Sequence, residues 1–210
     1  MYFVKTPFFA PLYCRSCVWK VKTSADMIYL TFDDGPDPNV TPDVLDVLDK
    51  YSAKATFFCV GHNAVKYPDI IEITRQKGHA IGNHAFSHVK GERLSTFEYV
   101  SDVNKSKAIL KTDLFRPPYG SITSNQIKEL RKLNQIIMWS VLPGDFDKRI
   151  SGEKVLKRAI SYTNKGDIIV FHDNKKFKEK MLFSLDGFLD HFTKLGFRFE
   201  VITDDLLNRI

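Results

Sequence analysis

The sequence predicts an α/β fold, a distorted or incomplete (β/α) barrel of about seven parallel strands. Three observations carry this. From about residue 27, short apolar runs alternate with stretches of helical periodicity almost to the end of the chain. No linker composition, low-complexity tract or internal repeat divides that pattern. The 210 residues, 43% apolar and 27% charged, suffice for one domain with a substantial core and exclude a disordered, fibrous or membrane-embedded chain.

Taken in order, residues 27–32 read as a buried strand. Thr41 and Pro42 then supply an N-cap and a first-turn proline, and Val44, Leu45, Leu48 and Tyr51 follow at helical spacing. Residues 55–60 form a second, aromatic-rich strand. A helix after Pro68 carries Ile70, Ile71 and Thr74 and stops at Gly78. Residues 79–82 make a short third strand. Ser95 and Glu98 form a capping box for a helix bearing Val100 and Val103. Leu114 and Phe115 are a strand stub before two prolines, and a helix around 126–133 leads to an apolar strand at 136–141. The alternation closes with helix 151–162, strand 167–171, helix 180–195 and strand 198–202. Residues 1–26, with Pro7, Pro11 and several aromatics, read as an arm packed on the domain formed by 27–210.

Charge and cysteines narrow the function classes. A net charge of +6 mildly favours anionic surroundings, such as an acidic polymer or a cell envelope. No basic face interleaves with aromatics, so nucleic acid is not the expected partner. Lys175, Lys176, Lys178 and Lys180 are broken by Phe177 and Glu179 and read as a solvated face. Three cysteines cannot build a disulfide framework, and Cys59 lies in a buried strand. Cys14 and Cys17 lack both a second pair for structural zinc and the strand-to-helix context of a redox motif. The N-terminus lacks the layout of a cleavable signal peptide, which favours the cytoplasm over the cell envelope that a polymeric wall substrate would suggest, and no apolar run reaches the length of a membrane span. A monomer is expected.

The polar residues that a packed core would reject fall at strand ends. Asp33 and Asp34 follow the first strand, His84 and His88 the third, and Arg116 the fourth. Asp145 comes soon after residue 141, and His172 ends strand 167–171. In a parallel β/α sheet those ends share one face, where active sites are assembled. A helical turn from His84 to His88 would bring both rings to one ion. With one carboxylate they would leave a position open, as catalytic zinc sites do, and a divalent ion there would polarise a substrate carbonyl. The neighbouring carboxylates Asp33 and Asp34 repel, and an ion relieves this by taking one while the other serves as base. Spacing alone leaves open which is which. His172 is placed to titrate near neutral pH. Arg116 is steadied by Pro117 and Pro118. His62, His79 and His191 read as structural.

Four stretches, Thr31-Phe32-Asp33-Asp34-Gly35-Pro36, His84-Ala85-Phe86-Ser87-His88, Arg116-Pro117-Pro118-Tyr119-Gly120 and Val170-Phe171-His172, match recognised motifs. Through them the chain resembles the polysaccharide deacetylases of carbohydrate esterase family 4, the NodB-homology domain, over about residues 27–203. The resemblance implies one divalent ion, zinc first with cobalt or another as alternatives, on Asp34, His84 and His88. It implies Asp33 as general base steadied by Arg116, and His172 as general acid tuned by Asp145. It also implies a backbone amide of Tyr119 that helps hold the oxyanion. Pro117, Trp139, Phe146 and Val170 are the candidate pocket residues. The fourth motif departs from the family pattern, with Leu142 in place of its first aspartate and Phe146 in place of its tryptophan.

The implied reaction is hydrolysis of N-acetyl groups on an N-acetylglucosamine-containing glycan of peptidoglycan or chitin type. Alternatives are an O-acetyl glycan esterase and a deacylase of a small-molecule or lipid-linked sugar amide. More distant are a glycan-binding module without turnover and an iron oxygenase, which uses the same ligand types.

Overall fold

A strand buried on both faces needs an unbroken apolar run, and β1 (Met27–Asp33), with six of its seven residues buried, is the clearest case. In the computed structural model, which describes residues 2–203 and 206, β1 pairs with three other strands. The expected domain's residues 204, 205 and 207–210 lie outside the described residues. On one side β1 pairs with β2 (Ala55–Cys59), on the other with β6 (Ile168–His172), both in parallel. β3 (Ala80–Asn83), β4 (Leu114–Phe115) and β5 (Gln135–Ile136) extend the sheet in turn beyond β2. β7 (Arg198–Phe199) pairs with the first two residues of β1. The result is a seven-stranded parallel sheet, in the order β5-β4-β3-β2-β1-β6 with β7 also on β1, flanked by helices as the periodicity predicts, and it reads as a distorted (β/α) barrel.

The stretch expected as one strand at 136–141 divides its pairing. Gln135 and Ile136 bond to β4, whereas Val141 bridges Ile169 of β6. The segment therefore crosses from one edge of the curled sheet to the other, and no single neighbour claims its whole length.

Six helices cover the sheet: α2 (Thr41–Lys50), α3 (Gly61–Lys66), α4 (Pro68–Gln76), α5 (Thr96–Leu110), α7 (Gly152–Tyr162) and α8 (Lys178–Lys194). α1 (Ala10–Tyr13) belongs to the leading arm, and α6 (Ser124–Leu130) packs against α5. The Ser95–Glu98 capping box of α5 forms as expected. Thr41 does not cap α2: it is the first helical residue, and its hydroxyl is taken by the buried Asp173. The main core lies between the central strands and α2, α7 and α8. There Phe32 stacks on Phe57 at 4.9 Å, and Phe171 meets Phe188 edge to face at 6.1 Å. Each such fully buried ring is worth about 1.5–3 kcal/mol.

Backbone hydrogen bonds seat the leading arm along the crossing segment: Val18 N–H to Ile136 O at 2.8 Å, Met138 N–H to Val18 O at 2.7 Å, Thr6 N–H to Ser140 O at 2.9 Å and, just beyond it, Leu142 N–H to Val4 O at 2.8 Å. Lys5 and Lys20 both reach the buried Asp167. Cys14 and Cys17, which the sequence left without a zinc or redox role, are joined as a disulfide. Their Cα atoms are 5.3 Å apart across a turn closed by Cys17 N–H to Cys14 O, within the range a disulfide spans. The pair is a local clip on the arm rather than part of a framework.

Candidate active site

Parallel register carries the chemistry of the sheet to one end. Asp33, the last residue of β1, is the cross-strand partner of His172, the last residue of β6. Beneath them Arg116 is fully buried, so the surface ion pair that a lone arginine usually makes is not what it forms. Its guanidinium donates to Asp33 Oδ1 and Thr31 Oγ1, each at 2.7 Å, and to the carbonyls of Ile137 and Met138 at 3.2 and 3.0 Å. It also lies 4.0 Å over the Phe58 ring. Four acceptors and an aromatic face hold one oxygen of Asp33 while Oδ2 points toward His84, 3.9 Å from Nε2.

Asp34, His84 and His88 each offer a ligand atom, and the three lie within 4.8 Å of one another. They converge by a route the spacing did not predict. The segment from His84 to His88 is a bend, not a helical turn, with Ala85 at φ 61° and His88 at φ 53°. Left-handed backbone at two non-glycine residues folds the rings together, with centroids 5.0 Å apart. His84 Nδ1 sits 2.8 Å from Arg116 O, which leaves Nε2 as the free lone pair. Burial pushes the His84 imidazole down to about 4, against the pull of the Asp33 charge, so it is neutral near pH 7 as a ligand must be. Burial alone would raise Asp34. The His88 hydrogen bond, with the charges of His172, His84 and His88, outweighs it and holds the carboxyl well below the usual range. One oxygen of Asp34 lies 3.1 Å from His88 Nε2, and the other accepts Asn174 Nδ2 at 3.2 Å. This donor set, one carboxylate and two imidazoles with Nε2 aimed inward, fits a divalent ion.

His172 faces the same cleft. Its Nδ1 is 3.0 Å from Asp145 Oδ1, and its backbone N–H donates to Asp145 Oδ2 at 2.7 Å, so one buried carboxylate holds both ring and strand end. Burial works against a charged imidazole here. The charge and hydrogen bond of Asp145, with Asp34 and Asp33 beyond, overcome it and push His172 up to about 10. Phe146 packs edge-on against the His172 ring at 5.1 Å.

Asp33, Asp34, His84, His88 and His172 line one cleft of about 890 Å³, with Arg116 and Asp145 buried behind them. Trp139, Phe146, Val170 and Leu142 form its apolar wall, and Tyr119, at φ 60° and 63% exposed, stands at the rim beside His88. Among the described residues the Tyr119 N–H has no hydrogen-bond partner.

Two expectations need correction. Pro117 does not line the cleft, because its part is to turn the chain after Arg116 into the tight turn that carries Tyr119. His62, expected as structural, does line it, since α3 starts directly beneath the cleft. His79 is structural as expected, accepting Ala55 N–H at 3.2 Å.

Further cleft residues were invisible in the sequence. Tyr2 comes from the leading arm to pack on Phe146 at 5.0 Å, and no local pattern announces so distant a contact. Asn63 and Asn174 are ordinary polar residues in helical and loop stretches. Asp173, fully buried behind the cleft, carries a carboxyl that burial pushes up to about 8.

A family model described as "Polysaccharide deacetylase" matches residues 20–136. The chain is 31% identical over 193 residues to a Bacillus cereus protein named peptidoglycan-N-acetylglucosamine deacetylase, covering 89% of this chain and 91% of that one. It is 32% identical over 177 residues to a chitooligosaccharide deacetylase of Azorhizobium caulinodans, covering 80% and 83%. Two longer curated relatives are matched over 55% and 40% of their own length. A crystal structure of a peptidoglycan N-acetylglucosamine deacetylase superposes with a TM-score of 0.86 at 31% identity, over 94% of this chain and 95% of that one.

Proposed function

This chain belongs to the polysaccharide deacetylase family, and on that premise we propose that it removes the N-acetyl group from an N-acetylglucosamine-containing glycan of peptidoglycan or chitin type. The observation that carries the reading is the pairing of Asp33 and His172 across adjacent strand ends, beside the Asp34–His84–His88 trio.

A zinc ion held by Asp34, His84 and His88 would polarise the acetamide carbonyl when bound. The remaining work falls to side chains and backbone. Asp33, with Oδ1 fixed by Arg116, presents Oδ2 to take a proton from the attacking water. The Tyr119 N–H faces the developing oxyanion, a contribution typically worth about 2.7–4 kcal/mol. An amide nitrogen leaves poorly unless protonated, and His172 supplies that proton from Nε2 while Asp145 holds Nδ1. Trp139, Leu142, Phe146 and Val170 close the wall around the acyl group and keep water from competing positions. We take the working unit to be a monomer, with residues 1–26 as an arm of the 27–210 domain; the scheme draws on groups of a single chain.

Asp145→Asn is expected to move the alkaline limb of the pH–rate profile to lower pH. His172 must be protonated to act, so the rate falls as pH rises through its folded value, about 10 here. The stabilising His172–Asp145 charge pair is complete below the ordinary histidine value of about 6.5 and is lost as pH rises toward 10. The Asp145 charge does more than any other group to raise His172, so without it the limb should retreat toward about 6.5. An unmoved limb would show that another group controls it.

The reading itself is tested by acetate release from N-acetylglucosamine oligomers after chelator treatment. Release should vanish with the metal and return on adding zinc. Zinc that binds without restoring release from any N-acetylated glycan would transfer the assignment to O-acetyl or small-molecule substrates. Failure to bind zinc would remove the trio from the site.

A further inference from the structure

Asp34 adopts φ 85°, a left-handed conformation that L residues avoid unless neighbours impose it. The residue that follows is glycine, which accepts either sign of φ, so the chain beyond Asp34 offers little resistance of its own to a change there. Rotation about the Asp34 N–Cα bond, which would relieve its positive φ, carries the side chain and the Asp34–Gly35 peptide together and would swing the carboxylate away from His84 and His88.

That peptide is gripped at both ends by side chains from other elements. Asn63 of α3 donates Nδ2 to the Asp34 carbonyl at 2.9 Å. Asp173, just beyond β6, accepts the Gly35 N–H at Oδ1, 3.0 Å away. The second oxygen of Asp173 takes the Thr41 hydroxyl at 2.5 Å, and Thr41 Oγ1 accepts the Asp37 N–H at 2.9 Å, so the hold extends along the loop. A Cβ at Gly35 would lie 2.1 Å from Asp173 Oδ2, so the carboxyl fills the space that the glycine leaves. Asp173 is 1% exposed, and among the described residues no cation pairs with it. A buried carboxyl without a cation is costly unless its oxygens are fully used, and here loop donors use both.

We propose that Asn63 and Asp173 are positioning residues, a clamp on the Asp34–Gly35 peptide that holds Asp34 in its left-handed conformation and so sets the affinity for the divalent ion. This rests on Asp34 being a ligand, as argued above.

The test measures zinc affinity directly, by competition titration of chelator-stripped protein, for wild type, Asn63→Ala, Asp173→Ala, Asp173→Asn and the direct-ligand variant His88→Ala. Removing either jaw should weaken zinc about 10–100-fold, the usual cost of losing a partner that orients a ligand. Asp173→Asn keeps a carbonyl oxygen for Gly35 and an NH₂ for Thr41 Oγ1, so it should stay within about threefold of wild type. The Asn63→Ala/Asp173→Ala double variant should lose less than the product of the two single effects, because both act on one peptide. Should Asp173→Ala fail to fold, Asn63→Ala, on half-buried α3, and Asp173→Asn still decide. Folded Asn63→Ala that binds zinc like wild type, while His88→Ala does not, would overturn the clamp and leave the ligand assignment standing. If His88→Ala also bound zinc normally, both would fall.

Discussion

Arg116→Met is expected to destabilise the fold by about 3–5 kcal/mol, the range for breaking a buried ion pair on one side. The guanidinium is wholly buried and serves Asp33, Thr31 and two main-chain carbonyls together. Methionine fills much of its volume but supplies no donor. Asp33 would remain in the interior without its cation, and the carbonyls of Ile137 and Met138 would lose their partner. Against a total stability of about 5–15 kcal/mol, such a loss is large enough to read in a urea melt. Arg116→Lys should fall between, since an ammonium keeps the charge but cannot reach four acceptors at once. A melt for Arg116→Met within about 1 kcal/mol of wild type would mean that the network contributes far less than its geometry implies.

Asp33→Asn is the second large effect, and it separates chemistry from structure. Losing the carboxylate charge leaves the buried Arg116 without its anion. The nearly isosteric amide oxygen still accepts from it beside Thr31 and two carbonyls, so the cost should stay below that of Arg116→Met and the fold should persist. The amide cannot take a proton, however, and general-base catalysis typically contributes about 10²–10⁴-fold. Acetate release should drop by that factor. Zinc should still bind, because Asp34, His84 and His88 are untouched.

Much of this site could be read from sequence because a parallel sheet sorts its residues. Once residues 27–32 and 167–171 are strands of one sheet, Asp33 and His172, which follow them, must lie at the same end, and register makes them neighbours. Arg116 and Asp145 follow by the same logic from their places after later strands. The geometry between such points was harder to read. Helical spacing of His84 and His88 suggested the right convergence by the wrong path, since positive φ at Ala85 and His88 is set by the surrounding loop and carries no glycine as a signal. Thr41 looked like a cap because its type and following proline suit one. The buried Asp173 claims its hydroxyl instead, and nothing local to Thr41 reveals a partner 132 positions away. Tyr2 and Asn63 were missed for the same reason, as their roles exist only through contacts distant in sequence. The strand expected at 136–141 failed where hydrophobicity was a good guide to burial and a poor one to pairing, for the same apolar run serves β4 at one end and β6 at the other.

Metal-assisted amide hydrolysis with Asp33 as base is tested most directly on zinc-loaded Asp33→Asn beside wild type. Acetate release from an N-acetylglucosamine oligomer and zinc content would be measured on the same samples. The expected result is a full complement of zinc with acetate release reduced at least about a hundredfold. A variant that holds zinc and releases acetate at the wild-type rate would contradict the account, and the proton would have to leave through another group in the cleft.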